Sequence, residues 1–273
     1  MAELQKGSKK LLDAWAFYDW ANSVYTLTIA SAVFPIFYEA LFSDRDHYID
    51  VFGLHLKNSA LISFITAFAF LLVAFISPLL SGIADYVGNK KSFMKFFCYL
   101  GALSCMGLYW FNLENIYIGL VFYFLGLIGY WGSLVFYNSF LPDIATPDKQ
   151  DALSAKGYVY GYIGSVILVV ICLVLIMFVA QTPKQALILT RVSFLMTGAW
   201  WFGFSQYTFK HLPQFGEVKD QLPKDLVLLN LKNIFKSHKS NGGFVEVLKD
   251  NIIFYTEIVK ESFRELYKVG SQL

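Results

Sequence analysis

Charge is what this sequence has least of. Of its 273 residues only 15% are Asp, Glu, Lys or Arg, against 56% hydrophobic and 18% aromatic. A soluble domain carries about a quarter charged residues. The shortage is concentrated: six stretches of at least 18 residues hold none of the four, at 20–38, 59–84, 96–113, 115–142, 157–183 and 192–209. Each is long enough to cross a hydrocarbon core of roughly 30 Å as a helix. That pattern excludes a soluble enzyme, a nucleic-acid-binding domain and a disordered chain. It also excludes a transmembrane barrel, whose strands read as alternating segments of about ten residues. Cysteine is scarce too. Cys98, Cys105 and Cys172 all sit inside apolar stretches, so neither a disulfide framework nor a Cys-based zinc site is supported. His47, His55, His211 and His238 are scattered, with no metal-ligand spacing. No metal, cofactor or nucleic-acid partner is expected.

What remains is an all-α polytopic membrane protein, because a helix satisfies its own backbone groups in lipid. Six transmembrane helices are predicted, at about 14–41, 58–84, 92–111, 115–141, 156–181 and 187–209. Lys6, Lys9 and Lys10 ahead of an apolar run resemble a leader, with Ala30-Ser31-Ala32 as its cleavage site. Asp19 interrupts that run and apolar residues continue to Leu41, so a retained first helix is expected. Segments 1–13, 85–95, 142–156 and 210–273 together hold 18 Lys and Arg, and the opposite side holds 4. Basic loops stay cytoplasmic, which predicts cytoplasmic N- and C-termini. Residues 1–209 then form a six-helix bundle and 210–273 a cytosolic amphipathic tail. The tail carries ten basic and eight acidic residues. Leu228, Leu231, Ile234 and Phe235, then Phe244, Leu248, Tyr255, Val259 and Leu266, follow helical spacing on either side of Asn241-Gly242-Gly243. Such a segment suits the lipid face of the membrane.

Polar side chains inside a span are costly and tend to face a cavity or a partner helix. Asp19, Asn22, Ser23 and Thr26 fall at i, i+3, i+4 and i+7 of the first helix, with Tyr18 and Tyr25 flanking them. The stripe reads as pathway lining. Asp19, about five residues inside the predicted helix, also fits a hydrated interfacial position some 7–8 Å from its start. Between the second and third helices, Gly82, Asp85, Gly88, Lys90 and Lys91 form an ordered cytoplasmic turn. Gly82 allows close approach and Gly88 a tight turn, and Asp85 can meet a helix N-terminus or a basic residue. The fourth helix ends Tyr137-Asn138-Ser139-Phe140-Leu141-Pro142-Asp143, with Asn138 expected as a buried amide and Pro142 as a stop or kink. Gly126, Gly129, Gly132 and Ser133, and then Gly157, Gly161, Gly164 and Ser165, have the small-residue spacing of tight helix packing.

These residues resemble the N-terminal half of a major facilitator superfamily transporter. Gly82, Asp85, Gly88, Lys90 and Lys91 match that superfamily's loop between helices 2 and 3, with Tyr86 and Asn89 where an arginine is usual. Ala16-Phe17-Tyr18-Asp19-Trp20-Ala21-Asn22-Ser23 and Tyr137-Asn138-Ser139-Phe140-Leu141-Pro142-Asp143-Ile144-Ala145 look like the vacuole-effluxer-like branch, which holds the autophagy-related amino-acid effluxer and bacterial permeases. The fifth helix lacks the proline of the superfamily's antiporter motif. The resemblance implies secondary transport of a small solute, amino acids included, by alternating access. The pathway would be Asp19, Asn22, Ser23, Tyr25, Thr26 and Asn138, the gate the 82–91 loop, and Tyr137, Pro142 and Asp143 a helix 4–5 motif. The membrane would be the cell or inner membrane of a bacterium, or a fungal vacuolar membrane. Such transporters place the site between two six-helix halves, so the chain is expected to be a truncated half or a half-size subunit that pairs with a second half or itself. A half-size scaffold that does not transport is the alternative. An enzyme is not expected, because no carboxylate or histidine cluster forms, and no Gly-x-x-x-x-Gly-Lys-Ser/Thr string offers an ATP site.

The orientation is checked by labelling. A cysteine placed at Asp46 should react with an impermeant maleimide added outside the cell, and one at Lys90 should not. The reverse pattern overturns the topology.

Overall fold

The computed structural model describes residues 6–42, 48–51, 53–87 and 89–214, without the side chains of 79–88. Most of the described chain is helical, as expected of an all-α membrane protein. The first span begins as α1 (Lys9–Asn22), widens into a π-helical stretch (Tyr25–Ala32) and ends as α2 (Val33–Ala40). A hairpin follows, of β1 (Tyr48–Val51) and β2 (Leu54–Lys57), paired antiparallel with Val51 opposite Leu54. Gly53 takes the positive φ of 76° that this tight turn requires. Then come α3 (Asn58–Val87, with Pro78 inside), α4 (Lys90–Gly107) with a 3₁₀ turn at Leu108–Trp110, α5 (Ile116–Ser139), the short α6 (Leu141–Ile144), α7 (Pro147–Val174) with a π-helical end at Leu175–Val179, and α8 (Pro183–His211). Proline opens α7 and α8 at the first helical positions, where its missing N–H costs nothing. Thr182 caps α8 by accepting from the Gln185 N–H at 3.3 Å.

Five helical segments are long and apolar enough to cross a membrane: Lys9–Ala40, Asn58–Pro78, Ile116–Ile144, Pro147–Val179 and Pro183–His211. The predicted third span is a helix, but Lys90, Lys91 and Lys95 occupy its first two turns, which leaves a short apolar remainder. Other predictions also move. The first helix starts at Lys9 rather than near 14. The connection after the second span is shorter than a turn from Gly82 to Lys91, because α3 stays helical to Val87 and α4 starts at Lys90. Gly82 and Asp85 therefore lie on a helix, and Gly88 lies outside the described residues, as does the tail beyond Gln214. The hairpin stands in what reads from sequence as a plain loop.

The chain divides into two compact units, Met1–Ala74 with Lys91–Pro213, and Phe75–Lys90 with Gln214–Leu273. The first unit is built around α1 and α2. Leu11, Ala14, Trp15, Ala16, Tyr18, Ala21 and Asn22 of α1 are buried. α8 runs antiparallel to this first span. The Thr208 hydroxyl donates to the Ala14 carbonyl at 2.8 Å, and the Trp200 indole N–H to the Trp20 carbonyl at 3.0 Å. Further along, Phe37 packs on Phe194 with ring centroids 5.1 Å apart. Phe34 stacks on Tyr123 at 4.6 Å and lies 5.9 Å from Phe111, so one aromatic cluster joins α2, α5 and α8.

α4 and α5 cross where glycine meets glycine. A methyl added at Gly129 would stand 2.3 Å from the Gly101 backbone nitrogen and 2.8 Å from the Phe97 carbonyl oxygen. At Gly126, three residues earlier, the nearest atom would be 3.4 Å away, an ordinary contact. Gly129→Ala must therefore push two helices apart, at a cost of about 1–3 kcal/mol, whereas Gly126→Ala should be neutral or slightly stabilising. Thermal unfolding in detergent checks the pair. Equal midpoints would show that the two glycines play the same part.

Candidate functional site

α1 carries its acid deep. Asp19 lies ten residues beyond Lys9, about 15 Å along the axis at 1.5 Å per residue, so the earlier helix start doubles its distance from the end. The Tyr137 hydroxyl donates to Asp19 Oδ2 at 2.9 Å. Tyr137 is itself held: its ring stacks on Trp15 at 4.2 Å and 10°, and the Trp15 indole N–H donates to its carbonyl at 2.9 Å. Tyr18 also packs on Tyr137, with centroids 5.1 Å apart. One turn and a half of α1 and the end of α5 thus fix a single hydroxyl on a single carboxylate.

α7 closes this site with a ridge of glycines. A methyl on Gly157 would lie 2.4 Å from Asp19 Oδ2 and 3.1 Å from the Tyr137 hydroxyl. On Gly161 it would lie 2.5 Å from Ser23 Oγ, and on Gly164 2.8 Å from the Trp20 carbonyl oxygen. The spacing reads as helix packing from the sequence, and the structure adds what is packed: the polar side of α1. At the end of the same contact, Lys156 forms a 2.5 Å ion pair with Asp13 and lies over the Tyr160 ring at 5.5 Å.

The predicted stripe does not form one uniform face. Asp19, Ser23 and Thr26 are part-buried, whereas Asn22 is fully buried and its Nδ2 has no partner. The Ser23 hydroxyl donates to Asn22 Oδ1 at 3.2 Å, and the Thr26 hydroxyl turns back to the Ser23 carbonyl at 2.7 Å. From Tyr25 onward the helix is π-helical, so a spacing rule built on 3.6 residues per turn no longer holds. Tyr25 is buried against Tyr130, its ring 4.9 Å away, with its hydroxyl unpaired.

Asn138 differs from expectation. It is exposed rather than buried, because consecutive residues on a helix point about 100° apart and Tyr137 takes the inward direction. Pro142 is the second residue of α6, and its carbonyl accepts from Lys6 Nζ at 2.8 Å, while the Gly7 N–H donates to the Ile144 carbonyl at 2.9 Å. Asp143 is part-buried in the first turn of that short helix. The helix 4–5 motif therefore anchors the segment that leads into α1. Lys90 and Lys91 open α4, with Lys91 Nζ donating to the Leu212 carbonyl at 2.7 Å. Among the described residues no three His, Cys, Asp or Glu side chains come together as metal ligands. Trp15, Tyr130 and the partner role of Gly157 are absent from the sequence reading. The one available signal was that Gly157 and Gly161 share the four-residue spacing of Asp19 and Ser23.

The Asp19–Tyr137 contact is open to a double-mutant cycle. A hydrogen bond to a charged group contributes about 1.5–3 kcal/mol, so Asp19→Ala and Tyr137→Phe should couple by that order in thermal unfolding. Additive effects would remove the contact from the folded protein.

Comparison with known proteins places the chain. A family model described as "Vacuole effluxer Atg22 like" matches residues 7–249. The chain is 34% identical over 221 residues to an "Uncharacterized MFS-type transporter YxiO" of Bacillus subtilis (strain 168), a match that covers 80% of this chain and 50% of that protein. The chain thus spans about half the length of the curated relative it matches. No solved structure matches it. The chain belongs to the Atg22-like vacuole effluxer family, it is similar to an MFS-type transporter, and it is an integral membrane protein.

Proposed function

We propose that this member of the Atg22-like family takes part in secondary transport of a small solute, with amino acids the first class to test, by alternating access. The observation that carries the reading is Asp19: a part-buried carboxylate about 15 Å inside a spanning helix. Placing an ionisable group there costs about 2.5–3.5 kcal/mol on insertion scales, and such groups mark substrate or ion pathways. Ser23 and Thr26, part-buried like Asp19, continue the pathway along the same helix, with Asn22 and Tyr25 buried behind them. Lys90 and Lys91 give the α3–α4 connection the basic character of a cytoplasmic loop, and the basic asymmetry of the sequence supports cytoplasmic termini. α4 serves as the sixth span, with its three lysines at the membrane surface, where long side chains reach the headgroups.

A pathway of this kind runs between two six-helix sets. The second set would come from a further stretch of polypeptide or from a second copy. It would meet the outer side of the site, where Tyr158 and Tyr162 of α7 are exposed.

The test is flux. Proteoliposomes containing this protein should take up a labelled mixture of amino acids saturably and without ATP. Asp19→Asn should lower that uptake about tenfold, which corresponds to about 1.4 kcal/mol. Uptake no greater than that of protein-free liposomes would overturn the transport reading. Uptake indifferent to Asp19→Asn would remove the site from the pathway.

A further inference from the structure

We infer that the end of the bundle where α4 begins and α8 finishes binds one anionic phospholipid, its phosphate among Lys91, Lys95 and Lys210 and its acyl chains along the outer faces of the two helices. The inference does not depend on what the chain transports. α4 and α8 are antiparallel neighbours whose register is fixed at successive levels. Lys91 Nζ donates to the Leu212 carbonyl at 2.7 Å, and the Lys95 ammonium lies 5.6 Å over the Phe209 ring. Further along, the Tyr99 hydroxyl donates to Gln206 Oε1 at 3.0 Å, and the Tyr99 and Phe202 rings lie 5.0 Å apart. Each four-residue step from the Tyr99–Gln206 bond is about 6 Å along either helix. One step toward the helix ends brings Lys95 on α4 and Lys210 on α8. One step the other way brings Leu103, 57% exposed, and Phe202, 39% exposed. The two helices therefore present the same order of chemistry side by side: ammonium, then a hydrogen-bonding group, then hydrocarbon.

That order matches a phospholipid read from headgroup to tail. Gln206 is exposed on a spanning helix, a place too costly for an amide in hydrocarbon, and tyrosine collects at the membrane–water interface. The Tyr99–Gln206 pair thus marks the boundary between headgroups and acyl chains, and the lysines stand at the level of the phosphates. Among the described residues none of the three lysines forms an ion pair with a carboxylate. Lys91 and Lys95 have the i, i+4 spacing at which like charges repel, and a bound anion relieves that repulsion. Lysine holds a phosphate as a point charge. A choline headgroup brings its own cation to the same lysines, so a headgroup of net negative charge is preferred. A free phosphate would engage the lysines but leave Leu103 and Phe202 without a partner.

Native mass spectrometry of the purified full chain tests this, with the protein released from micelles that hold equal amounts of dioleoyl-phosphatidylglycerol and dioleoyl-phosphatidylcholine. One phosphatidylglycerol should be retained about tenfold more often than phosphatidylcholine. Lys95→Gln and Lys210→Gln should each lower that preference several-fold and together abolish it, while Lys95→Arg and Lys210→Arg keep it. The Lys210 side chain is exposed, so Lys210→Gln remains informative should Lys95→Gln fail to fold. Lys184→Gln removes an exposed lysine from the opposite end of α8 and should leave the preference unchanged. Glycerol 1-phosphate at the lipid's concentration should not displace the bound lipid. Equal retention of the two lipids, a preference that survives the double variant, or the same loss in Lys184→Gln would each overturn the assignment. Displacement by glycerol 1-phosphate would make this a free-phosphate site and overturn the lipid.

Discussion

An acid ten residues inside a spanning helix, with no cation facing it among the described residues, is the constraint around which this bundle is arranged. Its burial costs up to about 2.5–3.5 kcal/mol, the value at the centre of a span, and the Tyr137 hydroxyl bond returns about 1.5–3. The two are close enough that the contact must be kept. The surroundings keep it. Trp15, one turn before Asp19, both stacks on the Tyr137 ring and donates to its carbonyl, so the helix that bears the acid also holds its donor. The bare backbone of α7 at Gly157 lets the third helix close over the pair without a side chain falling on the carboxylate.

The same helix is firm at one end and irregular at the other. Between Asp13 and Trp20 it is tied by the Lys156 ion pair and by α8 bonds to the Ala14 and Trp20 carbonyls. Beyond that the π-helical stretch begins at Tyr25. The Trp200 indole engages the Trp20 carbonyl about one turn before the widening, and a side chain entering the backbone ladder is an established cause of helix distortion. Single π-helical turns inside longer helices are frequent at functional sites. Here the change falls within the polar stripe, between Ser23 and Thr26, where Thr26 bonds back to Ser23 while Tyr25 turns inward to Tyr130.

Much of this was legible in the residues. Charge-free runs located the helices, because lipid leaves a chain no other way to satisfy its backbone. Asp19 stood out because an ionisable group in such a run is rare, and Tyr137 because it belongs to a string that resembles the family. What escaped has physical causes. Helix ends slipped because polar residues such as Lys9 and Asp85 are good or tolerable helix formers, and hydropathy is blind to them. Asn138 was misplaced because a polar residue on an apolar helix does not declare its direction; its neighbour Tyr137 decided that. The hairpin was hidden by its length, with four residues per strand. The glycine ridge was legible as packing, but no single-chain pattern says which face of which helix it meets.

Arg191 is the counterpart to Asp19 in the first unit. It lies eight residues into α8, its guanidinium sits 5.8 Å over the Phe37 ring, and its Nε is sealed without a partner. Because the first span and α8 are antiparallel, with Trp20 beside Trp200 and Phe37 beside Phe194, the acid and the base fall at separate levels of the bundle. They do not neutralise each other. Each instead meets aromatic rings, and the Phe37 face serves the base directly, since a ring face attracts a cation. It serves the acid differently. Tyrosine can stabilise a carboxylate only through its hydroxyl, and Asp19 receives one such bond. The two ionisable groups are thus met in different ways among the described residues, Arg191 by the face of one ring and Asp19 by one hydroxyl bond.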